Sequence, residues 1–270
     1  MGIVNVTPDS FSDGGLFLDA GRAIEHGRQL AAEGAEVLDV GGESTRPGAR
    51  AVSAEEELER VGPVVEALAG PGGPGALVSI DTSKARVAEA ALDAGASWVN
   101  DVTAFRGDPE LAGLCAERRC GVVLMHMLGT PRTMQEDPRY DDVVDDVRAF
   151  LAERVESAVS AGIEEERIMV DPGIGFGKTL EHNLELLLRL GELRELGRPI
   201  VIGSSRKSFI AKLIGRPAGE RLGGTIASNV LALVAGAEVF RVHDVRAVAE
   251  ALHVAEAILG RRDWRAGGVG

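Results

Sequence analysis

Eight short apolar runs in this chain each give way to residues that can hydrogen-bond, carry charge or transfer a proton. In order they are Asn5, Gly41-Gly42-Glu43, Asp81, Asn100-Asp101, His126, Asp171, Ser204-Ser205, and Arg241 with His243. Each has an ordinary structural reading when taken alone. Asp81-Thr82-Ser83 ahead of a helix reads as an N-cap, and Asn100 and Asp101 read as turn formers. Taken together they form a set that converges on one mouth if the runs are parallel strands closed into a barrel, because βα loops meet at the C-terminal ends of such strands. Such a mouth could bind a small polar ligand with carboxylates and amides, and capture an anion with the Arg–His pair.

Two βα loops add to the set. Thr7 to Leu18 holds one Pro, two Asp, two Ser, two Phe and two Gly, and Gly41 to Arg50 reads GGESTRPGAR. Long, Gly-rich loops carrying charged and aromatic residues suit segments that close over a substrate. The run Asp171-Pro-Gly-Ile-Gly-Phe-Gly-Lys-Thr179 imitates a phosphate loop. The pattern GxxxxGK[ST] ending at Thr179 needs Gly where Pro172 stands, and the spacing of a dinucleotide fingerprint is missing. Its glycines read better as places where backbone approaches a flat ligand closely.

The elements that must position these residues alternate along the whole chain. Apolar runs predict strands over Ile3–Val6, Glu36–Val40, Leu77–Ile80, Ser97–Val99, Val122–Met125, Ile168–Val170, Pro199–Ile202 and Glu238–Val242. Helical periodicity predicts helices over Asp19–Glu33, Ala54–Leu68, Lys84–Ala94, Pro109–Glu117, Tyr140–Ala161, Leu180–Arg189, Arg206–Gly236 in two pieces, and Val245–Leu259. Eight βα units with no linker or low-complexity stretch predict an α/β fold, a single-domain (β/α)₈ TIM barrel over residues 1–260, in preference to an open doubly wound sheet. The Gly- and Arg-rich tail 261–270 is expected to fray.

Composition fits that architecture. The 270 residues are 45% hydrophobic but only 4% aromatic, so the core must be aliphatic, as in buried parallel sheets. A formal charge of −13 argues against nucleic acid or an anionic membrane as partner. It also means that an anionic substrate must be held by a few local cations or a metal. Cys115 and Cys120 lack metal-site spacing and read as reduced, structural thiols. With no leader signal and no apolar run of spanning length, the expected location is the cytoplasm.

Several stretches resemble one family. Met1 to Gly15 (MGIVNVTPDSFSDGG) closely resembles the opening signature of dihydropteroate synthases, and Asp39 to Pro47 (DVGGESTRP) resembles the second. Further matches are Asp81-Thr82, Val99 to Val102, Leu124 to His126, Asp171 to Phe176, Gly203 to Ser208 (GSSRKS) and Arg241 to Val245, in the family's order across nearly the whole chain. The resemblance implies a (β/α)₈ barrel, usually a homodimer, that joins a dihydropterin diphosphate to 4-aminobenzoate with Mg²⁺ in folate biosynthesis and is inhibited by sulfonamides. It implies Asp81, Asn100, Asp171 and Lys207 on the pterin, with Met125 against its ring. Asn5 would hold Mg²⁺ and diphosphate, and Arg241 and His243, alternating on one strand end, would take the diphosphate oxygens. Thr45, Arg46, Phe176 and Ser208 would form the aminobenzoate site, with Phe11 and Asp13 on the closing loop. Catalytic roles fall to Asn5, Lys207, Arg241 and His243.

Family members usually carry a short segment ahead of the first signature, often a hairpin covering the barrel bottom; either the start of this chain is placed late or its barrel does without that plug, in which case some apolar surface at the bottom is expected to stay open. Two alternatives are a pterin-binding methyltransferase domain that presents methyl-folate to a corrinoid protein, and a non-catalytic paralogue. The long Asn5 to Gly15 loop and GSSRKS favour the synthase.

Overall fold

The apolar runs become eight parallel strands. In a computed structural model that describes residues 1–7, 16–45 and 49–261, β1 (Gly2–Asn5), β2 (Val37–Gly41), β3 (Leu77–Asp81), β4 (Trp98–Asp101), β5 (Gly121–Met125) and β6 (Ile168–Asp171) pair in chain order, and β7 (Val201–Ile202) pairs with β8 (Val239–Phe240). Parallel bridges join Val170 to Ile200 and Gly2 to Val242. At the second bridge the Ile3 amide donates to Val242 O at 3.0 Å and the Val242 amide donates to Met1 O at 3.0 Å. The last strand therefore returns to the first, the barrel closes, and the open-sheet alternative is overturned.

The final two strands are shorter than predicted over Pro199–Ile202 and Glu238–Val242 for a local reason. The amides of Glu238 and Val239 both donate to Ile200 O, at 3.0 and 3.1 Å. Two residues thus face one acceptor, and the ladder is interrupted as at a bulge.

Helices α1 (Leu16–Ala32), α2 (Ala54–Ala69), α3 (Ala85–Asp93), α4 (Leu111–Arg118), α5 (Val143–Ser160), α6 (Leu180–Leu188), α7 (Ser208–Ile214), α8 (Leu222–Ala235) and α9 (Val245–Ile258) follow the strands. α5 starts three residues later than predicted because Asp142 caps it, its Oδ1 accepting from the amides of Val144 and Asp145 at 2.9 and 3.1 Å. The outward residues Leu38, Val40, Val78, Ile80, Val99, Val122 and Leu124 pack with Leu30, Val64, Leu68, Val87 and Leu111 in the main core.

The inward residues set up the site. Trp98, Val123, Met169, Val201 and Val239 form one apolar cluster inside the barrel. Side chains alternate along a strand, so the next inward position on each of these strands is Asn100, Met125, Asp171, Gly203 and Arg241. An apolar plug thus carries a polar layer directly above it. At the opposite end lies a depression of about 520 Å³ lined by Leu77, Trp98, Met169 and Pro199, with Arg118 and Arg119 at its edge. Cys115 and Cys120 are buried and unbridged. Among the described residues no helix is long and apolar enough to cross a membrane. Of the tail 261–270, only Arg261 lies within the described residues.

Candidate active site

Arg241, just beyond β8, reaches across the barrel mouth. Its Nε donates to Asp39 Oδ2 at 2.6 Å and its Nη2 to Asp81 Oδ2 at 2.7 Å. Asn100 Nδ2 donates to the same Asp39 oxygen at 3.0 Å. Four strands, β2, β3, β4 and β8, are thereby tied through one guanidinium and two carboxylates. Burial opposes the charge on Arg241, but Asp39 and Asp81 more than offset it and raise its pKa. Burial pushes Asp81 up to about 7, with Arg241 pulling the other way and Asp39 adding to the rise. A like charge this close disfavours the ionised form of Asp81.

Asp171 ends β6 and is buried; its Oδ1 accepts from the Gly173 amide at 2.7 Å. Its pKa is raised by burial and held back by Lys207 and by that amide. Burial lowers Lys207 to about 8. Both groups flank Gly203, where a Cβ would lie 3.7 Å from Asp171 Oδ2 and 3.8 Å from Lys207 Nζ. Lys207 Nζ also donates to Ile174 O and sits 4.6 Å from the centre of the Phe176 ring. Phe176 packs against Val102, Met125, Met127 and Met134. Beside the charged network the mouth therefore has an apolar wall of methionines and one phenylalanine.

The sequence-derived set is partly gathered here. Asp81, Asn100, Asp171, Lys207, Met125, Phe176 and Arg241 surround one mouth. Asn5 ends β1 half-buried at the level of Gly41, its register partner, which in turn pairs with Asp81. Arg241 and His243 lie beyond the end of β8 rather than on it. They engage different neighbours: Arg241 turns inward, while His243 Nδ1 lies 3.0 Å from Ser205 Oγ, which also accepts from the His243 amide at 3.2 Å. Thr45 is half-buried and Ser208 exposed at the start of α7. Phe11, Asp13 and Arg46 fall outside the described residues.

Other expectations change. Asp81 does not cap α3, whose N-cap is Lys84; it is a strand residue facing Arg241. Of the pair read as turn formers, Asp101 alone holds the turn, accepting from the Thr103 amide at 2.8 Å and the Phe105 amide at 2.6 Å, whereas Asn100 turns inward. His126 leaves the ring altogether, buried against Lys178 and 4.8 Å from the Phe150 ring. Ser204 bonds Ser228 and Asn229 on α8. Glu43 anchors its loop instead of facing the mouth, its Oε2 accepting from Lys84 at 2.5 Å, while the same ammonium donates to the buried Glu57.

Asp39 was missed. It stands inside the apolar strand Val37-Leu38-Asp39-Val40, wholly buried, and its Oδ1 has no partner among the described residues. A carboxylate that interrupts a buried strand two residues before a Gly at the rim was the available signal, since period-two alternation places it on the inward face. Orphaned buried oxygens call for a functional explanation.

The chain matches the family model described as pterin binding enzyme over residues 1–243. It is 46% identical to the dihydropteroate synthase of Escherichia coli K12 over 263 residues, 97% of this chain and 92% of that one. A Yersinia pestis dihydropteroate synthase solved with a sulfonamide drug superposes with a TM-score of 0.91 at 44% identity, over 96% of this chain and 94% of that one. A Xanthomonas albilineans dihydropteroate synthase solved with 4-aminobenzoic acid gives a TM-score of 0.90 at 49% identity, over 96% and 92%. With these motifs, this closed barrel and relatives matched along nearly their whole length, the chain belongs to the pterin-binding enzyme family and, within it, to the dihydropteroate synthases.

Proposed function

We infer that the chain condenses 6-hydroxymethyl-7,8-dihydropterin diphosphate with 4-aminobenzoate, giving 7,8-dihydropteroate and pyrophosphate. The observation that carries this reading is the juxtaposition, over an apolar plug, of a buried carboxylate beside a lysine with an arginine shared by two aspartates. Asp171 keeps one oxygen beyond its bond to Gly173 and can accept from the N–H edge of a pterin. Asn100 and Asp81 supply further partners on the strands opposite. Lys207 offers a cation near the ring carbonyl, and Met125 an apolar face for the ring.

The local cations answer the problem of a globally acidic protein. A guanidinium has five N–H donors, and Arg241 commits one on Nε and one on Nη2 to aspartates, so three remain for a diphosphate. His243, steadied by Ser205, adds a donor from the same segment. As the bond from the pterin methylene carbon to the diphosphate oxygen breaks, charge grows on the leaving group, and Arg241 and His243 are fixed to receive it. The methylene cation is delocalised into the pterin, the aryl amine attacks it to form the C–N bond, and the extra N–H proton leaves to pyrophosphate or water without a dedicated base. Catalysis then rests on positioning and electrostatics.

Mg²⁺ fits this mouth on its chemistry. Among the described residues the Asn5 side chain makes no hydrogen bond, and no cluster of three His, Cys, Asp or Glu competes for a metal. One amide oxygen with substrate phosphates and water suffices for Mg²⁺, which when bound would neutralise diphosphate charge. Thr45, Arg46, Phe176 and Ser208 form the aminobenzoate side of this reading, and Phe11 and Asp13 its closing loop. Mixing both substrates with Mg²⁺ should release pyrophosphate and form dihydropteroate. Pyrophosphate release without aminobenzoate incorporation, or none at all, would refute the assignment.

We also propose a homodimer. Leu184 and Leu188 on α6, Leu213 and Ile214 on α7, and Leu231 and Val234 on α8 are exposed, with Leu188 79% and Leu231 64% accessible. Helix α6 packs on both α7 and α8, so these apolar residues lie on one side of the barrel, and exposed apolar surface gathered in that way marks an interface. Analytical ultracentrifugation should find a dimer at micromolar concentration, converted to a folded monomer by Leu188→Glu with Leu231→Glu. A wild-type monomer would overturn it.

A further inference from the structure

Lys178 is the lysine of the false phosphate loop, and the direct contacts of its Nζ are with a ring nitrogen and a carbonyl, Asp171 acting on it only through space. It is 3% exposed, with Nζ 2.8 Å from His126 Nδ1 and 3.0 Å from Phe176 O. The next residue, Thr179, instead caps α6, its Oγ1 accepting from the His182 amide at 3.2 Å. Four successive carbonyls of this loop each accept from a different side chain. Ile174 O accepts from Lys207 Nζ, Gly175 O from Gln135 Nε2 at 2.8 Å, Phe176 O from Lys178 Nζ at 3.0 Å, and Gly177 O from Tyr140 Oη at 2.7 Å. Asn183 Oδ1 also accepts from the Gly175 amide at 2.6 Å.

Glycine makes the close fit possible. Gly173 and Gly177 have φ of 67° and 65°, and a Cβ at Gly173 would lie 1.9 Å from His126 O, one at Gly177 2.5 Å from Leu128 Cβ. The loop is therefore laid on the segment after β5 and tied down residue by residue. Burial first and then Lys178 push the His126 pKa down to about 2, which favours the neutral ring beside the lysine.

We propose that Lys178, at the centre of these ties, is a positioning residue: through Phe176 O and His126 it sets the place of the Phe176 ring, and with it the wall that receives aminobenzoate. The proposal rests on the synthase reading above. Lys178 itself touches neither substrate. Asp171 is fixed first by its own strand, and Lys178 reaches it only through space, so the pterin side should feel the change less than the aminobenzoate wall.

Lys178→Met keeps the apolar stem and removes the donor. In a folded variant the KM for 4-aminobenzoate should rise about tenfold or more, since misplacing a wall by an ångström can cost one to two orders of magnitude, while the KM for the pterin diphosphate moves by a clearly smaller factor. Tyr140→Phe, which cuts only the neighbouring tie, should move the same constant in the same direction by a smaller factor. If Lys178→Met does not fold, Tyr140→Phe decides alone. Equal changes in both KM values, or a fall in kcat with neither KM moved, would assign the ties to folding and overturn the proposal. A wild-type protein that makes no dihydropteroate would instead refute the synthase reading, so the two failures are distinguishable.

Discussion

Arg241→Met is expected to lower kcat/KM by about 10³-fold, because removing a preorganised donor to a developing oxyanion costs on the order of 10² to 10³ and this residue also organises two aspartates. Asp39 is wholly buried and Asp81 14% exposed at the side chain. Deleting their shared cation leaves uncompensated buried charge, a loss of roughly 3–5 kcal/mol for a pair of this kind. The expected result is thus a double one, a lower melting temperature and a slower enzyme, and the two can be separated. Adding Asp39→Asn to Arg241→Met removes one of the stranded charges and should recover much of the stability while leaving kcat low. Arg241→Lys should fold but stay well below wild type, because an ammonium cannot span both carboxylates as a planar guanidinium does. Pre-steady-state pyrophosphate release should carry the loss. A double variant that regained turnover along with stability would show that Arg241 serves folding alone.

The residues of that network were unequally legible in the sequence. Asp81, Asp171 and Arg241 stand where apolar runs stop, and that position is itself a signal when parallel strands close on a common mouth. The barrel followed from the same alternation. Asp39 was not legible because it sits inside its strand, and only the inward–outward register, which the folded sheet makes plain, separates it from a misplaced surface residue. His126 failed in the opposite sense. It follows Met125 as Asp81 follows Ile80, yet the glycine-rich loop folds over it and turns it into a buried partner for Lys178. Position relative to a strand end is local information, whereas what covers that end comes from a segment some 50 residues away.

The Lys178 motif teaches the same lesson from the other side. A glycine-rich run ending in Lys-Thr is ambiguous as a string, and Pro172 already argued against a phosphate loop. What the lysine does instead depends on Gln135, Tyr140 and Asn183, three residues that no short pattern connects to it. Their donors and acceptors find the loop because the segment leading into α5 and helix α6 are both folded beside it.

Asp171→Asn is expected to weaken pterin binding by about 10²- to 10³-fold, or roughly 3–4 kcal/mol, with little harm to the fold. The substitution keeps shape and leaves the amide oxygen to accept from Gly173, but it turns an N–H₂ group toward an edge that is itself all donor. Linkage gives the argument a second arm. Burial raises the folded-state pKa of Asp171, so its protonated form is favoured by folding. The stability this lends is fully present below the unfolded pKa near 3.8 and is lost as pH rises through the higher folded value. Binding runs the other way, since the anion is acceptor-only toward a donor edge whereas the acid brings an O–H of its own, and affinity should fall as pH drops through the raised pKa. Burial therefore works against the charged form that the pterin edge needs, and ligand binding offsets that cost. Asp171→Asn should abolish both dependences at this site, leaving the melting temperature at neutral pH equal to or above wild type while calorimetry finds the pterin affinity lost. An affinity for the pterin that survived the substitution would remove Asp171 from the binding edge, and a melting temperature that collapsed with it would show the carboxylate to be a structural ion.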